Sequence, residues 1–274
     1  MANLAVMTVL LGEGDAVILD RLDHASLFDG AKASRARVFV YDHASPESLE
    51  KVLKRTRNYS KRLVATDTLF SMDGDLAPLT QISELTRRHG VWLMIDDAHA
   101  TGVLEERPGQ AEIVMGTLSK ALGSQGGFVC GPKALIDFLV NRARPFIYTT
   151  ALSPAACGAA LAALDIIRTE PERRKKLVEL SARLGGELRR QFPTNSKFIA
   201  PDATPIVPFW TGSAERALEV SGSLQVAGVF APAIRPPTVP KGECRLRFSL
   251  TSNHTPEDIN LLLGALTHNL EAVS

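Results

Sequence analysis

The sequence predicts an α/β protein, with a large domain built on a mostly parallel sheet and a smaller α+β domain after it. The apolar run at residues 91–95, VWLMI, lacks alternation with polar residues, which is typical of a strand covered on both faces of a parallel sheet. Strand-like runs alternate with amphipathic helical patterns, as in βαβ units. Near residue 168 the composition becomes more charged, so we expect domains at 1–168 and 169–274.

The elements of the large domain follow from local patterns. Residues 4–11 predict a buried helix that ends at Gly12, and Asp23 or Ser26 would cap the next helix. Ser45 and Pro46 open another helix, and Gly90 is the expected C-cap of the helix at 78–89. A further helix is expected at 132–141. Strands are expected at 15–19, 37–41, 62–66, 91–95, 113–115, 128–130 and, from the β-branched and aromatic run FIYTTAL, at 146–152.

The remaining chain predicts two long helices and then a mixed domain. Helices are expected at 155–168, 172–192, 214–227 and 256–270, and strands at 206–209 and 245–250.

Chemically useful side chains follow two of the predicted strands. Asp96-Asp97-Ala98-His99 comes directly after the strand at 91–95, and Lys120 comes after the strand at 113–115, before a glycine-rich turn. The carboxyl edge of an open α/β sheet is where ligands bind. A lysine amine can form an imine, a carboxylate can hold a pyridine nitrogen protonated, and an imidazole can contact the ring. Each residue alone is explained by solvation or capping, but the combination in this order favours a Schiff-base enzyme.

Composition argues against several other classes of function. The net charge is +1 and aromatic residues do not interleave with basic runs, so no nucleic-acid partner is expected. No apolar run approaches the roughly 20 residues that span a bilayer, so no membrane association is expected. The three cysteines, Cys130, Cys157 and Cys244, are far apart, which favours reduced thiols and a cytoplasmic location. No metal-ligand spacing occurs, and the DGD of residues 73–75 lacks the other ligands of a calcium loop.

Three motifs together resemble one enzyme family. FSMDGDLAPL, IDDAHATGVL and MGTLSKALGSQGG are similar to motifs of the α-oxoamine synthases, which are fold-type I enzymes that use pyridoxal 5′-phosphate (PLP). The resemblance extends over essentially the whole chain. It implies PLP on Lys120 and a homodimer with the active site at the subunit interface. It also implies that Met1 falls inside the usual large domain, so that the family's N-terminal quarter is not in this sequence.

The resemblance implies a role for each matching residue. Asp96 would hold the pyridine nitrogen protonated, and His24 would stack on the ring and assist protonation, so that both count with Lys120 as catalytic residues. Lys120 would also act as the general base, and Arg247 would hold the α-carboxylate of the amino acid. Apart from the resemblance, Arg245 on the same strand is expected to be an exposed ion-pairing residue. The remaining cofactor contacts implied are Ser71 and His99 on the phenolic oxygen, Thr117 on the phosphate, and Thr149 or Thr150 on the phosphate of the neighbouring subunit.

A proline-rich loop narrows the resemblance. IRPPTVP, residues 234–240, is similar to a signature of the branch that makes 8-amino-7-oxononanoate, with Arg235 and Thr238 near the acyl substrate. That branch condenses L-alanine with a pimeloyl thioester, of coenzyme A or acyl carrier protein, in biotin biosynthesis. Three alternatives stay open: a sibling that uses glycine and another acyl-CoA, a non-catalytic subunit of the same fold, and a chain left inactive by the missing N-terminal part.

Overall fold

A computed structural model describes residues 1–104, 111–200 and 203–271 of the chain. The chain divides into two compact units, each described separately below. The first comprises Met1–Phe70 and Leu76–Glu170, and the second comprises Ser71–Asp75 and Pro171–Ser274. The division into functional domains at 1–168 and 169–274 stays a proposal.

The first unit is built on a six-stranded sheet. Its strands are β1 (Ala16–Asp20), β2 (Arg37–Tyr41), β3 (Arg62–Asp67), β4 (Trp92–Asp96), β5 (Ile113–Thr117) and β6 (Gly127–Cys130). The spatial order is β2-β1-β3-β4-β5-β6. Strands β1 to β5 are mutually parallel, and β6 pairs antiparallel with β5 at one edge. The mostly parallel sheet that the sequence predicts is therefore confirmed.

Helices cover both faces of this sheet. Helices α1 (Ala2–Leu10), α2 (Ala25–Ala33) and α5 (Lys133–Arg142) pack on one face, and α3 (Pro46–Arg55) and α4 (Leu79–His89) pack on the other. The unit also contains α6 (Arg144–Ile147) and α7 (Pro154–Thr169). All residues of strand β1 are apolar except the last, Asp20, because the strand is covered on both faces. Val17 and Leu19 pack into a core with α1, α2 and α5, while Ile18 packs on the opposite face with α3 and α4. Since both faces of the strand are buried, its apolar residues do not alternate with polar ones.

The strand expected at residues 146–152 is wrong. The segment instead contains the short helix α6, followed by residues outside regular structure. Pro145 lies in the first turn of α6, where a proline's fixed φ and missing N–H are tolerated. Thr150 has a φ of 60°, which no β-strand accommodates. The aromatic and β-branched residues of FIYTTAL favour a strand, but Pro145 at the start of α6 and the positive φ of Thr150 prevent one.

The second unit has its own sheet and core. Strands β7 (Ile206–Gly212), β8 (Ala233–Ile234) and β9 (Cys244–Ser249) form an antiparallel sheet in the order β7-β9-β8. Helices α8 (Glu172–Gln191), α9 (Ala214–Val226) and α10 (Pro256–Glu271) and a 3₁₀ helix (Pro193–Phe198) complete the unit. Apolar side chains from all three α-helices join Phe209, Leu246 and Phe248 of the sheet in one core. The smaller α+β arrangement expected from the sequence is thus present.

Membrane-spanning helices and metal-binding clusters are both absent from the described residues. None of the helices described is long and apolar enough to cross a membrane. Within the same ranges, no group of three or more histidine, cysteine or acidic side chains is arranged to hold a metal ion.

Candidate active site

Polar residues end the central strands of the first unit at one edge of the sheet. Asp20, Asp67, Asp96 and Thr117 are the last residues of β1, β3, β4 and β5. Asp67 and Asp96 are register partners in the parallel pairing of β3 and β4, so their side chains leave the sheet on the same face. Neighbouring strands are about 4.8 Å apart, which places these two carboxyl groups within strong electrostatic range of each other.

Asp96 is buried and held on both oxygens. Its exposed fraction is 2%. Oδ1 accepts a hydrogen bond from the Ala98 N–H at 2.9 Å, and Oδ2 accepts one from Asn3 Nδ2 at 2.8 Å. A carboxylate has about four lone-pair positions, so these two bonds orient it and leave acceptor capacity for a further donor.

Asn3 connects Asp96 to His24. The same Nδ2 donates to Ser26 Oγ at 2.9 Å, and Ser26 Oγ lies 2.8 Å from Nδ1 of His24. The expectation that Asp23 or Ser26 caps the second helix is wrong, because His24 is the N-cap and its side chain accepts from the Ser26 N–H. The imidazole is therefore tethered at Nδ1 beside a helix start.

Asp23 and Asp67 fasten the loop after β1 to the end of β3. Asp23 accepts from the backbone N–H of Asp20 at 2.7 Å and of Asp67 at 2.9 Å, and Asp67 accepts from the N–H of His24 at 2.7 Å. Burial and then the charge of Asp96 raise the pKa of Asp67 to about 8. Burial, followed by the charges of Asp67 and Asp20, raises the pKa of Asp23 well above its usual range. The carboxyl groups of Asp23 and Asp67 therefore hold their protons more tightly than exposed carboxyl groups do.

Lys120 lies on the turn that follows β5. Thr117 Oγ1 donates to the Gly126 carbonyl at 3.1 Å, and the Leu118 N–H donates to the same carbonyl, which closes this turn. The Lys120 side chain is exposed. Its positive charge lowers the pKa of Asp67, against the larger effects of burial and Asp96. Lys120 therefore supplies positive charge to the edge that contains Asp67 and Asp96.

The other proposed cofactor contacts of the first unit occupy different settings. His99 is half-buried in the turn after β4. Thr149 and Thr150 are exposed and follow α6, and their hydroxyls donate to the carbonyls of Pro145 and Thr149. The structure does not bring either threonine into hydrogen bonding with the strand-end residues.

In the second unit, two arginines of β9 hold the segment Ser71–Asp75. Arg247 donates to the Ser71 carbonyl at 3.2 Å, and Arg245 makes a 2.5 Å ion pair with Asp73. The expectation that Arg245 is exposed is wrong, since only 6% of it is exposed. The Arg247 guanidinium is half-buried, and its Nε has no hydrogen-bond partner among the described residues. Burial lowers the pKa of this guanidinium, and the spare donor suits an anionic ligand.

Arg235 and Thr238 lie on the loop that follows β8. Both side chains are exposed, and the Thr238 N–H donates to the Arg235 carbonyl at 3.0 Å, which forms a turn around the cis peptide bond between Pro236 and Pro237. The structure does not join these side chains by hydrogen bonds to Ser71 or Arg247.

Sequence reasoning missed Asn3, Ser26 as an orienting residue, and Asp67. The sequence contains a signal for Asn3, because it is an amide in the stretch ANLAVMTVL, which is apolar apart from Asn3 and Thr8. In the structure Asn3 is buried. Buried polar side chains are hydrogen-bonded as a rule, so an asparagine there indicates a polar partner elsewhere in the chain.

Comparisons with known proteins place the chain in a family. The sequence model of the family described as aminotransferase class I and II matches residues 1–266. The 8-amino-7-oxononanoate synthase of Anaeromyxobacter dehalogenans (strain 2CP-C) is 44% identical over 281 residues, covering 98% of this chain and 69% of that protein. The 8-amino-7-oxononanoate synthase 2 of Bacillus subtilis (strain 168) is 42% identical, covering 96% of this chain and 69% of that protein.

Solved structures give the same answer for the fold. A serine palmitoyltransferase variant from S. paucimobilis, with a bound PLP–myriocin aldimine, matches with a TM-score of 0.92 at 30% identity, covering 99% of this chain and 70% of that one. The 8-amino-7-oxononanoate synthase from Francisella tularensis matches with a TM-score of 0.82 at 27% identity, covering 99% of this chain and 80% of that one. The chain therefore has the fold-type I architecture and belongs to the aminotransferase class I and II family and, within it, to the α-oxoamine synthases.

Proposed function

We propose that the chain catalyses the PLP-dependent, decarboxylating condensation of L-alanine with a pimeloyl thioester to 8-amino-7-oxononanoate, a step of biotin biosynthesis in the cytoplasm. The observation that supports this most is the buried Asp96 at the same sheet edge as the Lys120 turn. It occurs in a chain 44% identical to a protein named for that product.

The residues present fit PLP. Asp96 keeps lone pairs free after accepting from Ala98 and Asn3, so it can accept from a protonated ring nitrogen. Burial and the negative charge of Asp96 raise the pKa of Asp67, and the positive charge of Lys120 offsets this only in part, so this edge can accommodate further positive charge. A pyridinium nitrogen would supply that charge beside Asp96. When bound, PLP provides an electron sink for the negative charge that develops at the amino acid's α-carbon.

Within this proposal each residue has a definite task. The ε-amine of Lys120 binds the cofactor and then moves the α-proton as the general base. Asp96 keeps the ring nitrogen protonated, and the hydrogen bond from Asn3 fixes the orientation of the Asp96 carboxylate. Arg247 binds the substrate carboxylate through the guanidinium donors that Ser71 does not occupy. We assign the ring face to His24, the phenolic oxygen to Ser71 and His99, the phosphate to Thr117 with the neighbouring subunit's Thr149 or Thr150, and the acyl chain to Arg235 and Thr238.

A homodimer is part of the proposal, and exposed apolar surface of the first unit supports it. Helix α7 has the sequence PAACGAALAALDIIRT, yet within this fully described helix only Ala160 is buried. Leu161 is 65% exposed, and Phe146 and Tyr148, before the helix, are 62% and 68% exposed. Contiguous exposed apolar surface marks association sites. We infer that a second copy of the chain covers it.

A visible absorption spectrum with added PLP tests the cofactor site. We expect a band that wild type and Lys133→Ala both show and that Lys120→Ala lacks. Lys133 is the matched control because it is an exposed lysine in the same unit, paired with Asp137 at 2.8 Å. Equal spectra for all three proteins would refute the assignment of Lys120.

Substrate identity is tested in the same cuvette. L-alanine should change the Lys120-dependent band more than glycine does, and product should form with pimeloyl-CoA or with pimeloyl–acyl carrier protein. A stronger response to glycine would indicate the sibling activity on another acyl-CoA. A band without turnover would indicate that the chain, which covers 69% of the length of the Anaeromyxobacter relative, lacks residues that the reaction needs.

A further inference from the structure

A chain of side-chain hydrogen bonds joins Asp96 to His24, and its direction can be worked out from Asp96. A carboxylate only accepts hydrogen bonds, so the atom of Asn3 that faces it must be Nδ2 and not Oδ1. The distance from Nδ2 to Asp96 Oδ2 is 2.8 Å. The charge of Asp96 therefore decides which way the Asn3 amide points.

The same amide then decides the role of Ser26. The other N–H of Nδ2 reaches Ser26 Oγ at 2.9 Å, so that this hydroxyl accepts from Asn3. A serine hydroxyl has one proton of its own. His24 Nδ1 lies 2.8 Å from Oγ and can accept that proton.

The backbone of Ser26 independently requires the same state of His24. The Ser26 N–H donates to His24 Nδ1 at 3.3 Å. A proton on Nδ1 would point at this N–H, and it would also require the Ser26 hydroxyl to turn its own proton away from His24. A neutral imidazole has one donor and one acceptor nitrogen, so the ring proton must be on Nε2.

The amide oxygen of Asn3 destabilises this arrangement. Its Oδ1 is buried and has no hydrogen-bond partner among the described residues, and the residue is only 2% exposed. An unsatisfied buried acceptor is unfavourable, and an apolar side chain of similar size, such as leucine, would avoid it. The two N–H groups of the amide are thus the feature that the site uses.

We propose that Asn3 and Ser26 are positioning residues that fix His24 as the Nε2–H tautomer and tie the orientation of its ring to Asp96. The catalytic meaning of this inference rests on the proposed function, in which His24 contacts the cofactor ring. Before any ligand binds, Asn3 and Ser26 would then fix the His24 imidazole in the form that has its proton on Nε2 and none on Nδ1.

Long-range ¹H–¹⁵N NMR of the histidine side chains tests the proposal on the full chain without PLP. Spectra are recorded at about pH 8, above the ordinary histidine pKa of about 6.5, and the His24 signals are identified with His24→Gln. We expect the Nε2–H pattern in wild type. Ser26→Ala should raise the share of the Nδ1–H form about fivefold, which is the change that one ordinary hydrogen bond makes in an equilibrium.

The controls separate positioning from a general effect on folding. Ser26→Thr keeps the hydroxyl and should preserve the wild-type pattern. Ser45→Ala removes a serine hydroxyl from the start of α3 in the same unit and should not change His24. Asn3→Leu should raise the share of the Nδ1–H form of His24, as Ser26→Ala does. If Asn3→Leu does not fold, the comparison of Ser26→Ala with Ser26→Thr still tests the proposal.

Two results would overturn the inference: an Nδ1–H pattern in wild type, or an unchanged His24 pattern in Ser26→Ala. Neither depends on PLP. A failure of the proposed function would appear in the PLP spectra alone, while the tautomer result would stand.

Discussion

Replacing Asp67 with asparagine should make the protein's stability less dependent on pH. The change keeps an oxygen that can accept from the His24 N–H, which Asp67 now binds at 2.7 Å, and it removes the titrating group. The pKa of Asp67 is about 8 in the folded chain because of burial and the charge of Asp96. In an unfolded chain an aspartate has a pKa of about 3.9.

The sign and the size of the change in the free energy of unfolding with pH follow from proton linkage. A folded pKa above the unfolded one means that stability is fully present below about pH 4 and is lost as the pH rises through about 8. Between about pH 5 and about pH 7 the unfolded aspartate is ionised and the folded one is protonated. Each pH unit then lowers the free energy of unfolding by about 1.4 kcal/mol, or about 3 kcal/mol over this range. Asp67→Asn lacks this contribution.

Urea unfolding at a series of pH values measures the effect. The free energy of unfolding of Asp67→Asn minus that of wild type should rise by about 3 kcal/mol between about pH 5 and about pH 7. Asp29→Asn, which removes one carboxylate from the exposed side of α2, reports the effect of net charge alone. Lys120→Ala should extend the loss of stability to higher pH, since Lys120 lowers the pKa of Asp67.

Parallel pH profiles for wild type and Asp67→Asn would refute the reasoning, because they would show that Asp67 has the same proton affinity in the folded and unfolded chains. A difference of the opposite sign, confined to pH values near and below about 4, would show that the hydrogen bond from His24 outweighs burial and the charge of Asp96.

Three further changes have definite expected outcomes. Gly74→Ala should destabilise the second unit, because Gly74 has a φ of +71° and an added Cβ would overlap the Ile206 carbonyl oxygen. A thermal melt with an unchanged midpoint would contradict this. Asp73→Ala should lower the free energy of unfolding in urea by about 3 kcal/mol, since it leaves the buried Arg245 without its 2.5 Å partner, and a loss no larger than that of a surface ion pair would contradict it. Leu161→Asp should weaken self-association measured by sedimentation velocity, because it places a charge on exposed apolar surface, and an unchanged dissociation constant would contradict this.

Much of the first unit could be predicted because the evidence is local. A strand buried on both faces has a continuous apolar run, and β4 ends at Asp96 where that run ends. Gly90 adopts a φ of 62° as the C-cap of α4, as a glycine after an amphipathic pattern predicts. The order of strands and helices then limits the topology, because parallel neighbours need crossover helices.

What could not be predicted depends on residues far apart in sequence. Arg245 is expected to be exposed when only β9 is considered, and it is buried because Asp73, 172 positions earlier, pairs with it. The segment Ser71–Asp75 interrupts the first unit in sequence and packs with the second. No local pattern in FSMDGD indicates that its partners lie on β9.

Asn3 shows how such distant partners can still be suspected. Its amide reaches Asp96 across 93 positions, which no periodicity predicts. However, a polar side chain on the buried face of an apolar helix must find a partner, because leaving it unpaired in the core is costly. In an α/β protein the concentrated polar groups of the interior lie at the carboxyl ends of the strands. A lone buried asparagine on a helix that packs near that edge is therefore evidence for the site itself. In this chain it identifies Asp96 as the carboxylate that Asn3 orients, while the adjacent buried Asp97 accepts a hydrogen bond from the Thr68 hydroxyl.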